Sequence, residues 1–329
     1  MESLTASHTV AVTGANGFVG GRILAHLREQ GVDATGLVRR GRLLARPEWS
    51  KRELAEWREG DLIEALEGIG TVVHAASVVH RPGAAASEHR AFNVEGTRAL
   101  LAAARSRGVR RIVFLSSIKV YGEEPPGVID ESTPVDRTSP YSSTKLDAEQ
   151  ILLDATEQGG PSVVVLRLCP VYGAGDKGNV RSVATAIARH RFAVPGDGST
   201  RKSVVHASTV AEAVLRTVRS DERGVFVLSD RVAPSMRELG DTIAQAMGRP
   251  PPRSVPIALA LGAAAGLAAL ARLRGREPKV TPELIRKSLR STVCSPVKFE
   301  RTFGLDCHLD LRDGIAEEVA WLRREGLLP

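Results

Sequence analysis

A glycine-spaced turn between a predicted strand and a predicted helix is the feature that most constrains this chain. Residues 9–12 have an apolar strand pattern, residues 18–30 have helical periodicity, and glycines stand at Gly14, Gly17 and Gly20. In such a turn the first glycine permits the sharp bend, the second lets the backbone approach a pyrophosphate, and the third lets helix pack on strand. The helix N-terminus adds N–H groups and a partial positive charge. The pattern predicts a dinucleotide site.

Strand and helix patterns alternate over the first half of the chain. The runs at 111–115 and 163–166 are continuously apolar, as expected for strands buried on both faces of a parallel sheet. We therefore predict an α/β fold with a doubly wound parallel sheet of the Rossmann type, followed by a smaller, mostly helical C-terminal substrate domain. The predicted boundaries are 1–168 for the Rossmann domain, with a returning segment near 204–230, and 169–203 with 231–329 for the substrate-binding region.

The composition excludes several classes of protein. Hydrophobic residues make up 43% of the 329 residues and charged residues 25%, which is typical of a folded globular chain. The three cysteines are well separated and the histidines have no ligand-like spacing, so we expect neither a disulfide framework nor a metal site. The net charge of +7 suits an anionic small molecule, whereas nucleic acid would need a concentrated basic stripe.

The first nine residues lack the apolar core of a signal peptide, which predicts a cytoplasmic protein. The apolar run at 255–271 is shorter than the ~20 residues that span a bilayer. We interpret this run as a buried or interface helix, with peripheral membrane contact as the alternative.

Two arginines, Arg39 and Arg40, follow the second predicted strand. A carboxylate at this place would bind the ribose 2′-hydroxyl of NAD, whereas an arginine can pair with the 2′-phosphate of NADP. The sequence favours NADP and leaves NAD open. Asp61-Leu62 follows a further strand and is a candidate for holding the adenine amino group, and the small Ala75-Ala76 leaves room for a cofactor.

The residues from Ser139 to Lys145 predict a helix with Ser139 as N-cap, which puts Tyr141 and Lys145 on one helical face. A phenol with a pKa of ~10 is a weak base, but an adjacent ammonium and an oxidised nicotinamide both favour the phenolate. Tyr141 could then take the proton of a substrate hydroxyl as hydride leaves, and return it in reduction. Ser117, at the end of a buried strand, would bind the reacting oxygen. The predicted catalytic set is Ser117, Tyr141 and Lys145.

The runs TGANGFVG, LSSIKVYG and YSSTK resemble the extended short-chain dehydrogenase/reductase superfamily, in particular the nucleotide-sugar epimerase/dehydratase group. Matching landmarks at 74–76, 93–97 and 167–173 extend the resemblance over nearly the whole chain. The resemblance implies an NAD(P)-dependent enzyme that pairs as a homodimer through helices at 92–107 and 141–158. The candidate cofactor-binding residues are Gly14, Asn16, Gly17, Phe18, Val19, Gly20, Arg39, Arg40, Asp61, Leu62, Ala75, Ala76, Ser77, Asn93, Ser116, Tyr141, Lys145, Pro170 and Val171.

The run SSIKVYGE, followed by residues 175–179, is similar to nucleotide-sugar 4-epimerases and 4-ketoreductases, which implies a nucleotide-sugar substrate. The planar guanidinium of Arg201 would clamp the diphosphate. Three departures stand out: Lys202-Ser203 and Cys169 replace the usual residues, and Ile118-Lys119 replaces the acidic pair of a 4,6-dehydratase. The candidate substrate-binding residues are Ser117, Lys119, Val120, Tyr172, Asn179 and Arg201.

Two other functions remain open at this point. Residues 205–213 and 320–326 resemble 3β-hydroxysteroid dehydrogenase-like relatives, which oxidise bulky apolar alcohols. Other relatives keep the fold as NADP-sensing regulators without turnover, and these tend to lose the tyrosine or the lysine. Both Tyr141 and Lys145 are present here.

Overall fold

The computed structural model describes residues 9–42, 44, 49–77, 90–176, 178–278 and 280–328. The strands are β1 (Thr9–Thr13), β2 (Ala34–Arg39), β3 (Lys51–Leu54), β4 (Ile69–His74), β5 (Arg111–Ser117), β6 (Val128–Ile129), β7 (Ser162–Leu168), β8 (Val171–Tyr172), β9 (Val194–Pro195), β10 (Val205–His206), β11 (Gly224–Leu228), β12 (Ser254–Val255) and β13 (Val293–Cys294). The helices are α1 (Phe18–Glu29), α2 (Glu59–Ala65), α3 (Gly96–Ser106), α4 (Pro140–Glu157), α5 (Asn179–Ala188), α6 (Ala207–Val218), α7 (Met236–Ala246), α8 (Ile257–Leu273), α9 (Pro282–Ser288), α10 (Val297–Phe303) and α11 (Leu311–Arg324). A π-helical turn, Ala91–Glu95, precedes α3, and a 3₁₀ turn, Ile118–Tyr121, follows β5.

The chain forms two compact units. Unit 1 comprises the described residues of Met1–Cys169, with Ala207–Ser229 and Ser295–Cys307. Its sheet has seven strands among the described residues, in the order β11-β7-β5-β4-β1-β2-β3, and every pairing between them is parallel. The strand order reverses direction at β1, which is typical of a doubly wound sheet. The predicted fold class is confirmed.

The central strands are buried on both faces because their side chains are apolar without alternation. The core on one face of the sheet joins α2, α3 and α4 to side chains such as Val72, Ile112 and Val163, all of which are inaccessible to solvent. On unit 1, α1 and α6 also lie against each other, and the ring of His26 on α1 is 2.9 Å from the carboxylate of Glu212 on α6.

Unit 2 comprises Pro170–His206, Asp230–Cys294 and the described residues of His308–Pro329. Its core is helical: α5, α7 and α11 bury side chains that include Val180, Ile243 and Ile315. Two short parallel ladders, β8 with β10 and β9 with β12, complete this unit. The α7 helix begins with a capping box, in which Ser235 and Glu238 each bind the other's backbone N–H.

The apolar run at 255–271 lies largely within α8, which is mostly exposed, so of the two predicted placements burial is wrong and an interface helix stays a prediction. Only Ala264 and Ala268 of its 17 residues are buried, because the helix contacts its own unit along one narrow stripe. Within the described ranges, no helix is long and apolar enough to cross a membrane.

Candidate active site

The glycine turn joins β1 to α1 at the carboxyl edge of the sheet. Gly14 has a φ of +67°, and a Cβ there would lie 3.0 Å from the backbone of Ala76, which leaves no room for a side chain. The N–H of Gly17 donates to the carbonyl of Gly14 at 2.8 Å and closes the turn. A Cβ at Gly20 would collide with the Gly14 carbonyl, so this glycine lets α1 sit directly on the turn.

A buried hydrogen-bond chain fixes the turn against the end of β4. The N–H of Ala76 donates to Thr13 Oγ1 at 3.0 Å, and Thr13 Oγ1 lies 3.0 Å from His74 Nδ1. On the other side of the ring, His74 Nε2 is 3.2 Å from Thr97 Oγ1, whose own proton goes to the carbonyl of Asn93 at 2.7 Å. Thr97 must therefore accept from His74, which places the imidazole proton on Nε2 and leaves Nδ1 to accept from Thr13.

Burial, together with the smaller effect of the positive charge of Lys145, lowers the pKa of His74 to about 3. The ring is therefore neutral at physiological pH, as the hydrogen-bond chain requires. His74 was not among the predicted site residues, although it precedes Ala75-Ala76 in the sequence. The sequence could have indicated this residue, because a polar side chain at the end of an apolar strand needs hydrogen-bond partners when it is buried.

The remaining predicted cofactor residues of unit 1 fall into three groups. Asn16, Arg39 and Arg40 are exposed, so their side chains are accessible to a ligand. Leu62 is fully buried in the core, which leaves only its backbone for binding, and Asp61 accepts a hydrogen bond from the N–H of Glu56 at 2.9 Å. The half-buried members are Phe18, Val19, Ala75, Ala76 and Ser77.

The predicted catalytic helix begins where the sequence indicated. Ser139 is the N-cap of α4 and accepts a hydrogen bond from the N–H of Ser142 at 3.0 Å, and Pro140 occupies the first turn. One turn further along, Lys145 Nζ donates to the carbonyl of Leu115 on β5 at 2.9 Å and lies 4.7 Å from the centre of the Phe114 ring. The lysine therefore joins α4 to the strand that ends in Ser117.

Tyr141 and Asn93 are tied to the loop after β4. Asn93 is buried, and its side chain lies 3.2 Å from Ser77 Oγ and 3.3 Å from Thr144 Oγ1. Burial raises the pKa of Tyr141 to about 12, while a hydrogen bond with Ser77 lowers it. Unit 1 thus brings Ser77, Asn93, Tyr141 and Lys145 together beside the end of β5.

Burial also changes the pKa of Lys145. It lowers the pKa of Lys145 to about 8, and the negative charge of Glu149 opposes this change. The sequence predicts that Lys145 and an oxidised nicotinamide together favour the Tyr141 phenolate, and this stays a prediction; among the groups of this chain, desolvation is the largest effect on the Tyr141 pKa and raises it. The pair consists of a phenol that holds its proton and an amine that releases its proton unusually easily.

A second buried network lies behind the lysine, and of its members only Ser116 was a predicted site residue. Glu149 is 2% exposed and accepts hydrogen bonds from Ser116 Oγ and from Arg167 Nη2, the latter at 2.6 Å. Arg167 Nη1 donates to the hydroxyl of Tyr121 at 2.8 Å. The sequence could have indicated Glu149, because Tyr141, Lys145 and Glu149 follow one another at intervals of four on α4 and so share one face.

The predicted substrate residues are dispersed. Lys119 is exposed beside Ser117, whose Oγ accepts the Lys119 N–H at 3.3 Å, while Val120 is fully buried. In unit 2, Tyr172 is also buried, with its ring 5.0 Å from that of His206, so neither Val120 nor Tyr172 offers an exposed side chain to a substrate.

The other predicted residues of unit 2 are accessible to different degrees. Asn179 is the exposed first residue of α5. Arg201 donates to the carbonyl of Ala233 at 2.8 Å and lies 3.7 Å from the Glu238 carboxylate. Pro170 accepts from the N–H of Val205 at 3.0 Å, and Val171 pairs with the same residue in the β8–β10 ladder.

The glycine turn fits a dinucleotide pyrophosphate on its own geometry. A Cβ at Gly14 or Gly20 would run into the backbone of Ala76 or of Gly14, so only glycines allow this tight turn, and within the described part of the chain no side chain caps the N-terminus of α1 at Gly17. The first N–H groups of α1 therefore remain available to an anion. The residues that would hold the phosphates are Gly14, Asn16, Gly17, Phe18, Val19 and Gly20.

Comparison with known proteins agrees with this geometry. The chain is 26% identical over 303 residues, 89% of this chain and 87% of the relative, to the N-acetyl-alpha-D-glucosaminyl-diphospho-ditrans,octacis-undecaprenol 4-epimerase of Escherichia coli O157:H7. It is 30% identical over 245 residues, 72% of each chain, to the 4-hydroxy-2-methyl-3-oxo-4-farnesyl-3,4-dihydroquinoline-1-oxide ketoreductase of Stigmatella aurantiaca.

Among solved structures, the chain resembles MoeE5 in complex with UDP-glucuronic acid and NAD, with a TM-score of 0.75 and 28% identity over 96% of this chain and 99% of the other. Residues 10–228 match the model of the NAD dependent epimerase/dehydratase family, and this range contains the glycine turn, Ser117, Tyr141 and Lys145. The chain therefore belongs to the NAD dependent epimerase/dehydratase family and is an NAD-dependent enzyme of the extended short-chain dehydrogenase/reductase superfamily.

Proposed function

We propose that this enzyme transfers hydride at a secondary alcohol or ketone of a nucleotide-linked sugar, as a 4-epimerase or 4-ketoreductase. The observation that carries the proposal is the placement of Tyr141 and Lys145 on α4. Lys145 Nζ donates a hydrogen bond to the carbonyl of Leu115 on β5, two residues before Ser117. The sugar is supported by MoeE5, which is 28% identical and was solved with UDP-glucuronic acid and NAD.

The residues of unit 1 supply the proton chemistry. A bound nicotinamide would accept or donate the hydride. In the oxidative direction, Tyr141 first releases its own proton to solvent, and the resulting phenolate takes the hydroxyl proton of the substrate while the carbon loses its hydride and becomes a carbonyl. Because burial raises the pKa of Tyr141 to about 12, the phenol is protonated at neutral pH and is suited to return that proton in reduction. Ser117 hydrogen-bonds the reacting oxygen, and the Lys145 charge favours the phenolate when it forms.

The same groups serve either reaction. In an epimerase, hydride returns to the opposite face of the keto sugar, whereas a ketoreductase releases a net redox product. We place Asn179 and Arg201 at the sugar or diphosphate and the backbone of Pro170 and Val171 near the nicotinamide. Arg201 would contribute its planar donor fork, part of which already binds the Ala233 carbonyl.

Within this NAD-dependent family, we also propose that this chain binds NADP in preference to NAD. The exposed Arg39 and Arg40 stand at the end of β2, where a 2′-phosphate would lie, and no carboxylate stands in their place. As part of this proposal, residues 1–168 and 204–230 bind the cofactor, and the remaining residues bind the substrate. We also propose that the enzyme is cytoplasmic and forms a homodimer through α3 and α4.

A second substrate class is favoured by one relative. The ketoreductase of Stigmatella aurantiaca, 30% identical, carries a farnesyl group in the name of its substrate. An apolar ketone or alcohol, of the kind that 3β-hydroxysteroid dehydrogenase-like enzymes use, is therefore the alternative to a nucleotide sugar.

The experiment that separates these functions follows nicotinamide absorbance with NADH and with NADPH. The substrates are UDP-sugars, dTDP-4-keto sugars and a 3β-hydroxysterol. We expect turnover of a nucleotide sugar. Sugar conversion with no net absorbance change identifies an epimerase, and a stoichiometric change identifies a reductase. Turnover of the sterol alone would overturn the nucleotide-sugar proposal.

A further inference from the structure

The helix α8 has an unusual surface for a globular protein. Its sequence, IALALGAAAGLAALARL, has no charged residue before Arg272. Ala264 and Ala268 are buried, and Ala260, Leu261 and Ala271 are half-buried, so one stripe faces unit 2. The rest of the helix is exposed, and it is as apolar as the buried stripe. A helix that is apolar all round normally lies in a protein core or in contact with lipid.

Large side chains dominate the exposed part of this surface. Leu259 is 67% exposed, Leu267 55% and Leu270 43%, and Leu273 at the end of the helix is 85% exposed. The next helix, α9, lies against α8 and adds Leu284, which is 50% exposed. Contiguous apolar patches of this kind mark interaction sites, whereas single exposed leucines would need no explanation.

The charge of the same segment is concentrated. Residues 257–290 contain seven Lys and Arg against two Glu, which is a net charge of +5 out of the +7 of the whole chain. All of these basic residues follow the apolar part of α8. The described members are all exposed: Arg272, Arg274, Arg276, Arg286, Lys287 and Arg290.

We propose that α8 and the basic residues that follow it, the segment 257–290, dock on an anionic membrane surface. The apolar side chains of α8 would enter the boundary between headgroups and acyl chains, and the arginines would remain at the level of the headgroup phosphates. The net charge of +5 in this segment complements anionic headgroups, whereas docking on an apolar protein surface would not need basic residues beside α8. The helix lies on the bilayer, since within the described residues no helix can cross one. The proposal goes beyond the reaction described above and does not depend on its substrate.

Vesicle sedimentation of the full-length chain tests this docking. We expect the protein to sediment with vesicles of 30% phosphatidylglycerol in phosphatidylcholine, and to bind at least tenfold more weakly to phosphatidylcholine alone. Raising the salt concentration from 50 mM to 500 mM should weaken the binding, because it screens the arginines.

Two variants separate the apolar contribution from the charge. Arg272→Gln/Arg274→Gln should weaken binding to the anionic vesicles about 30-fold, since each basic residue near such a surface contributes about fivefold. The matched control is Arg58→Gln/Arg98→Gln, which removes two exposed arginines of unit 1 and should leave binding unchanged. Leu259→Gln/Leu267→Gln should abolish binding, with Val232→Gln, 59% exposed, as its control.

Absence of sedimentation with anionic vesicles would overturn the proposal, as would equal binding of the leucine variant and its control. A second copy of this chain is the competing occupant. If the leucine variant converts a dimer to a monomer while the wild type binds no vesicles, α8 is a subunit interface and membrane docking is wrong. Substrate turnover is not part of the readout, so failure here leaves the proposed reaction intact.

Discussion

The guanidinium of Arg167 and the carboxylate of Glu149 form a buried ion pair, with Nη2 2.6 Å from Oε2. The same carboxylate accepts the hydroxyl of Ser116, the neighbour of Ser117, and its charge keeps the pKa of Lys145 from falling further. Glu149 therefore joins α4, which carries Tyr141 and Lys145, to β7 through Arg167 and to β5 through Ser116. We expect its loss to affect both the stability of the fold and the pKa of Lys145.

Glu149→Gln should destabilise the fold by about 3–5 kcal/mol, because it leaves Arg167 as a buried charge without its carboxylate partner. The pKa of Lys145 should also fall below its present value of about 8. Urea unfolding measures the first effect, with Glu157→Gln, an exposed residue of the same helix, as the control. The double variant Glu149→Leu/Arg167→Met should regain most of the lost stability. A single variant as stable as the wild type would contradict the structural role of the pair.

Tyr141→Phe should reduce kcat by about 10²–10⁴, which is the usual contribution of a positioned acid or base. The dissociation constant for the dinucleotide should stay unchanged, since the glycine turn is untouched. Ser143→Ala removes a hydroxyl of the same helix that donates to the Arg137 carbonyl, and it should keep full turnover. A wild-type rate in Tyr141→Phe would refute the catalytic assignment.

His74 should make the fold sensitive to acid. Its pKa is about 3 in the folded chain and about 6.5 in an unfolded one, so below pH 6.5 the unfolded chain binds more protons. The contribution of His74 to the free energy of unfolding is fully present above pH 6.5 and is lost as the pH falls towards 3. Between pH 7.5 and pH 5.0 the loss should be about 2 kcal/mol.

The measurement compares the free energy of unfolding at the two pH values in wild type and in His74→Gln. The variant should lose about 2 kcal/mol less than the wild type over this interval, whereas His308→Gln, at an exposed position, should behave like the wild type. Identical acid sensitivity in His74→Gln would show that the ring does not become charged on unfolding.

Gly14→Ala should weaken dinucleotide binding, because its Cβ would lie 3.0 Å from the Ala76 backbone beside the turn and displace it. Gly31→Ala is a matched control: its φ of +73° is equally unfavourable for alanine, but a Cβ there meets nothing within 4 Å. Both variants should lose about 1–2 kcal/mol of stability from the backbone conformation. Isothermal titration with NAD should show a loss of at least tenfold in affinity for Gly14→Ala alone. Equal affinities would mean that the turn does not hold the pyrophosphate.

Arg39→Ser/Arg40→Ser should lower kcat/KM with NADPH by about 10–100-fold and change it little with NADH, because only NADPH carries the 2′-phosphate. Arg58→Ser, at an exposed arginine outside β2, serves as the control. If the double variant loses both cofactors equally, the arginines do not discriminate between them.

Much of the fold was predictable because it depends on local patterns. Continuous apolar runs indicated β5 and β7, and the helix start at Ser139 followed from capping chemistry. The glycine spacing predicted a turn that the structure forms with a φ of +67° at Gly14. Each of these features lies within a few residues of the chain, so sequence alone carries the information.

The two buried networks were not predicted, because their members are far apart in the sequence. Thr13, His74 and Thr97 meet only when β1 and β4 pair and α3 packs on them, and Arg167 reaches Glu149 only when β7 lies beside β5. Burial is equally a property of the folded chain. It moves the pKa of Tyr141 up and that of Lys145 down, opposite to the simple expectation for an isolated tyrosine–lysine pair.

The sequence by itself determined the sheet, the glycine turn and the identity of the tyrosine and lysine, because strand, turn and helix signals are local. The tertiary structure decided which charges are buried together and that α8 is exposed. Both depend on desolvation, which is set by neighbours that are distant along the chain.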